Sequence, residues 1–167
     1  GDSGVIRGIL GEDMGPEALL TLGSVLGEED QVGIGCSPTP GAGMLARAAA
    51  VGAAAAGKEV LTHSLTSPVQ GAGLAAMHRI PVSLFAEERE NVVYLHLFDS
   101  SGLPLGRVRE RKLENSLLQG EVRRTRGDKV GRLRQIDVSA EQWGRWTVER
   151  AGLRRPSLRR VTVAVGD

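Results

Sequence analysis

Aromatic residues are nearly missing from this chain of 167 residues: two Phe, one Tyr and two Trp, 3% in all. That scarcity argues against an aromatic-rich recognition surface and leaves the packing to Ala, Val, Leu and 23 Gly. Cysteine is just as scarce. The single Cys36 excludes an internal disulfide and points to a reducing compartment. No run of about 18 apolar residues exists, so the sequence predicts no transmembrane helix. The N-terminus shows no basic flank leading into an apolar signal segment. Together these absences predict a cytoplasmic protein with no membrane partner. A chain of this length buries roughly 70% of its unfolded surface, enough for a core without metal or disulfide staples.

What is present is divided by charge. Residues 1–100 hold five Lys/Arg and twelve Asp/Glu, whereas residues 101–167 hold sixteen and eight, so the halves carry −7 and +8. A split of this kind marks either a polyanion-binding half or two surfaces of opposite sign that meet each other. The second is the commoner physical outcome. The basic stretch with Arg123, Arg124, Arg126, Lys129, Arg132 and Arg134 has no interleaved aromatics, which weighs against nucleic acid as a partner.

Hydrophobic patterning predicts alternating strands and helices. "VIRGIL", "QVGIG", "KEVLTH", "IPVSLF" and "NVVYLHLFD" read as strands. "MGPEALLTLGSVLG" reads as a helix with Pro16 in its first turn, Leu19, Leu22 and Leu26 on one face and Gly27 as its stop. "MLARAAAVGAAAAG", "GAGLAAMH" and "RVRERKLENSLLQ" read as further helices. Short connections between them predict an α/β fold with a mixed, mostly parallel sheet, the "SSG" turn closing one end as a hairpin. "GEVRRTRGDKVGRLRQIDV" reads as extended and exposed. "SAEQWGRWTVERAG" reads as a helix with Ser139 and Gln142 in a capping box, Trp143 and Trp146 on one face.

Single motifs carry little chemistry. "VGIGCSPTPGAGML" has the strand–loop–helix order of a phosphate cradle, but Pro38 stands where G-x-G-x-x-G needs glycine, and no P-loop lysine follows. His63, His78 and His96 are scattered, without metal-ligand spacing. Cys36 lies at a strand end before a helix, where a thiol can be acidified, yet no histidine is near it in sequence. The segment "VSLFAEERENVVYLHLFD" stands out: it reads as a strand broken by a charged loop, Ala86-Glu87-Glu88-Arg89-Glu90, before the next strand.

Read in order, "VIRG", "VGIGCSPTPGAGMLARAAAVGAAAAGKEVL", "LTSP" and "LFDSSGLPLG" resemble the first domain of the α-D-phosphohexomutases, the phosphoglucomutase and phosphomannomutase family. The resemblance implies a three-layer α/β/α sandwich with residues 1–120 as the domain core and 121–159 as a charged connection and completing helix. It implies that 160–167 is the first strand of a truncated following domain. It also implies a catalytic serine, kept phosphorylated and coordinating magnesium, in a Thr-Ala-Ser-His-Asn-Pro loop. Counting back from "LFDSSG" puts Ala86 at the serine, and Glu87 and Glu88 at the histidine and asparagine. The family's Gly-Arg-Asp strand end is Gly33-Ile34-Gly35, and its later Thr-Pro is Ser67-Pro68. Arg7 alone keeps its place as a ligand-binding residue.

The expectation is therefore a degenerate first domain with no catalytic residue and no cofactor of its own. Its partners are the remaining domains of a longer protein and, by resemblance, a sugar phosphate. Three alternatives stay open: a displaced nucleophile at Ser83; Glu87, Glu88 and Glu90 acting as acid–base or cation-binding groups; and a polyanion-binding basic half.

Overall fold

The computed structural model describes residues 4–136. The readings for residues 137–167, including the capped helix with both tryptophans and the terminal strand, lie outside the described residues. Strands β1 (Val5–Ile9), β2 (Gln31–Cys36), β3 (Glu59–Ser64), β4 (Val82–Arg89), β5 (Val92–Asp99) and β6 (Leu133–Gln135) form one sheet in the order β1-β5-β4-β2-β3-β6. β2 pairs in parallel with β3 and β4, and β6 in parallel with β3. β5 is antiparallel to β4 and to β1. The sheet is mixed and mostly parallel, as the sequence predicts.

Helices α1 (Pro16–Ser24), α2 (Pro40–Ala55), α3 (Pro68–His78) and α4 (Arg107–Leu118) flank it. The first three each begin on a proline, whose fixed φ suits the first turn and whose missing N–H is no loss there. Thr39 and Ser67 cap α2 and α3, their hydroxyls accepting from Ala42 N and Gln70 N at 3.3 and 3.4 Å. Both helices therefore start about one turn ahead of the apolar periodicity.

Alternation along the strands sorts side chains between two layers. Val82, Leu84 and Ala86 of β4 join Leu19, Leu22, Leu45, Ala49 and Leu113 in the larger core, which holds α1, α2 and α4 against one face. Phe85 and Phe98 point the other way and pack on Ala72 and Ala75 of α3. Three layers result.

The helix contact in the larger layer is unusually close. A β-carbon on Gly23 would lie 2.8 Å from the carbonyl carbon of Ala49, and one on Gly52 would lie 2.9 Å from that of Leu20. Backbone thus meets backbone between α1 and α2. On the sheet's other face, Gly33 and Gly35 leave room for the Ser83 hydroxyl and the His63 ring. These glycines sit inside β2, the strand predicted from "QVGIG", and serve packing.

The opposite charges meet within the chain. Lys112 reaches Glu28 at 3.0 Å, Arg123 reaches Glu28 at 3.5 Å, Arg109 reaches Glu29 at 3.6 Å and Arg132 reaches Glu59 at 3.8 Å. Exposed pairs of this kind contribute little each, roughly 0–1 kcal/mol, but they orient the basic segment against the acidic one. That segment then runs along α2, with Thr125 N donating to Ala55 O and Gly131 N to Ala54 O, and ends as β6. The expected exposed stretch thus contributes a sixth strand.

Gly52→Ala tests the helix contact. Helix propensity alone favours alanine by about 1 kcal/mol, yet overpacking against Leu20 is expected to outweigh it and cost roughly 1–3 kcal/mol net. Gly43→Ala on the same helix, whose nearest neighbour is the Arg47 guanidinium at 3.8 Å, is expected to stabilise. Urea midpoints of the two variants decide between them.

Candidate functional site

The C-terminal ends of parallel strands are where α/β sheets place their ligands, and the strand order reverses here between β2 and β4. Cys36, Ala86, Leu95 and Ile6 form one row across the sheet. The next row holds Glu87, Tyr94 and Arg7, one per strand. Adjacent strands lie about 4.8 Å apart, so Arg7 and Glu87 face the same way with backbones roughly 10 Å apart.

The expected charged loop is not a loop. β4 continues through Arg89, and only Glu90 and Asn91 turn the chain, at φ 51° and 70°. Two left-handed residues make the type I′ geometry that matches the twist of the flanking strands. Sequence reading missed this because the turn lacks the Asn-Gly or Asp-Gly that announces such hairpins. Ala86 is fully buried in β4, its side chain in the larger core and its carbonyl accepting from Ser37 N at 3.0 Å.

Strand alternation separates the acidic residues. Glu87 Oε1 accepts from His96 Nε2 at 3.1 Å and pairs with Arg89 at 3.6 Å, while the Arg89 guanidinium stacks 4.3 Å from the centre of the Tyr94 ring. Glu88 points to the other face, where a β-carbon on Gly41 would lie 2.5 Å from its Oε1. Its carboxylate thus occupies the positive end of α2, where an anion is favoured. Glu90 is exposed in the turn. The three carboxylates do not converge, which removes them as a joint acid–base or cation site. Arg7 stands exposed on β1.

The other candidates disperse as well. Ser83 is 3% exposed, wedged against Gly33 on the α3 face, and its hydroxyl has no hydrogen-bond partner among the described residues. Burial pushes the Cys36 thiol up, against the opposing effects of the Ser64 hydroxyl and Arg47. The acidified thiol that the helix start suggests is therefore not what the fold builds. Burial lowers His96, with Glu87 pulling the other way. Burial also lowers His63, to about 4, with His78 adding to the shift. The His63 ring stacks on Phe85, and its Nδ1 has no partner among the described residues.

A groove of about 710 Å³ opens beside this edge, between α2 and the α2-facing side of β2, β3 and β6. Ile34, Cys36, Thr62, Ser64 and Gln135 line its floor, and Ala50, Val51 and Arg47 its helix wall. Sequence reasoning passed over it because part of its floor comes from β6.

No family model and no curated protein matches the sequence. Solved structures do match. A phosphoglucomutase/phosphomannomutase family protein from Burkholderia thailandensis superposes with a TM-score of 0.70 at 17% identity, over 84% of this chain and 33% of that one. A putative phosphomannomutase from Thermus thermophilus gives 0.65 at 16% identity, over 81% and 32%. The likeness is one of fold. This chain spans about a third of the length of those neighbours.

The magnesium that the family resemblance implies does not fit these residues. Ala86 offers no side-chain oxygen, Glu87 and Glu88 face opposite ways, and no group of three potential metal ligands gathers among the described residues. Among the same residues no helix is long and apolar enough to cross a membrane.

Two measurements test this edge. His63 stays neutral in the fold to about pH 4, whereas an unfolded histidine takes its proton near pH 6.5. The unfolded chain therefore binds the proton first as pH falls. Stability should be full above about pH 6.5 and decline from there toward pH 4, by up to about 3 kcal/mol. Denaturant midpoints for wild type should show that slope, and His63→Gln should flatten it. Glu90→Asn, relieving a left-handed glutamate, should raise stability by about 0.5–1 kcal/mol in the same assay.

Proposed function

We propose that this chain is the first domain of a phosphohexomutase-like protein whose phosphoryl-transfer loop has become a closed hairpin, leaving a structural or regulatory domain rather than a catalyst. One observation carries the reading: the position that the resemblance assigns to the phosphoserine is Ala86, buried in β4, with a two-residue turn and no loop beyond it. Fold similarity to two phosphomannomutase-type proteins supports the ancestry.

The charges point the same way. A phosphate brought to this row meets Glu87 on one face and Glu88 on the other, and a carboxylate about 4 Å from a phosphate costs roughly 1–4 kcal/mol. Arg89 beside them is already paired with Glu87, and Arg7 suits weak binding of a phosphorylated ligand at the sheet edge. The domain's partners would be the remaining domains of a longer protein, in a reducing, cytoplasmic setting that the free Cys36 tolerates.

Intact-mass spectra before and after incubation with magnesium and a hexose 1,6-bisphosphate test the reading. The expected result is an unchanged mass. A stoichiometric gain of one phosphoryl group, lost in Ser83→Ala, would reveal a displaced nucleophile and overturn it.

A further inference from the structure

We propose that the groove between α2 and the α2-facing side of β2, β3 and β6 binds a small polar molecule through an oxyanion, a carboxylate or a phosphate, held by the Arg47 guanidinium and the Ser37 hydroxyl. This goes beyond the reading of the Ala86 row and does not rest on it. Ser37 is 7% exposed, and its backbone is already committed: its N–H donates to Ala86 O at 3.0 Å and its carbonyl accepts from Thr39 N at 2.8 Å. Ser37 is among the residues lining the groove, and its hydroxyl is buried without a partner among the described residues. A buried hydroxyl with no partner is uncommon in a folded protein, and a ligand oxygen is one way to satisfy it.

Arg47 supplies the charge. It lies two turns into α2 on the groove wall, exposed, with no carboxylate partner among the described residues. No acidic residue is among those lining the groove. Cys36 stays a neutral thiol hydrogen-bonded to Ser64, and His63 is uncharged at neutral pH. Glu88, an acid at this edge, is turned to Gly41, which is not among the groove's lining residues. Thr62, Ser64 and Gln135 add hydrogen-bonding groups, while Ile34, Val51 and Leu133 accept an apolar body. About 710 Å³ is a size typical of small-molecule sites, and the C-terminal ends of parallel strands are their usual place.

The test is a titration of the isotope-labelled full chain with inorganic phosphate and, separately, acetate, against sodium chloride at matched ionic strength, read by amide chemical shifts. Saturable shifts at Ser37, Thr39, Arg47 and Ser64 are expected with at least one probe, and the stronger probe names the oxyanion. Arg47→Gln should weaken binding about tenfold or more, and Ser37→Ala roughly threefold or more, as the loss of charge-assisted bonds predicts. Arg111→Gln, an exposed position on α4 away from the groove, should leave the titration unchanged. Shifts that only follow ionic strength, or equal affinity in Arg47→Gln, would overturn the proposal. So would shifts confined to Arg7, Glu87 and Tyr94, or nuclear Overhauser contacts that put residues beyond 136 in the groove.

Discussion

The backbone-to-backbone contact of α1 with α2 is the constraint on which the rest of the molecule depends. Gly23 and Gly52 admit the carbonyl of the opposite helix where a side chain would otherwise stand. With that spacing α2 can present a nearly unbroken alanine face, Ala42, Ala46, Ala49, Ala50 and Ala53, to sheet and helix alike. A helix held this way has little freedom to slide, because small side chains leave no slack to be taken up by rotamer changes. Its N-terminus is thereby fixed at the sheet edge, beside Glu88 on one side and the groove on the other.

The sheet's two ends have separate tasks. At the N-terminal ends of β2 and β3, Lys58 is buried with its ammonium bonded to Gly27 O and Glu29 O, and burial lowers its pKa. Around it, Glu28 is held in its ionised form chiefly by Lys112 and then by Arg123. This end is a charge clasp between the acidic and basic parts of the chain. The other end carries Ser37, Arg47, Glu88 and the Glu87–His96–Arg89 cluster, with an open groove. Stability is built at one end, and the residues able to meet a ligand are left at the other.

The fold was largely legible, and the misses have definite causes. Leu19, Leu22 and Leu26 announce α1 because a helix buried on one face repeats its apolar residues every three or four positions. Pro40 and Pro68 start α2 and α3 as Pro16 starts α1, but the apolar periodicity begins later and set the expected starts about one turn in. β6 is three exposed residues, and only its register with Val60–Thr62 makes it a strand. The site was less legible. Ala86-Glu87-Glu88-Arg89 reads as a loop because its charges look solvated, yet period-two alternation sends each to a defined neighbour: core, His96, Gly41, Tyr94.

By itself the sequence determined the alternation of strand and helix and the mixed, mostly parallel sheet, because burial periodicity and helix-start chemistry are local properties written residue by residue. It also determined that no serine stands at position 86. Which groups share a site was decided only by tertiary structure. Arg7 meets the row of Glu87 through strands 80 residues apart in sequence, Glu87 and Glu88 part company across one strand, and Ser37 and Arg47 come to share a groove with Thr62 and Gln135. Those juxtapositions follow from register and long-range closure, which no local pattern encodes.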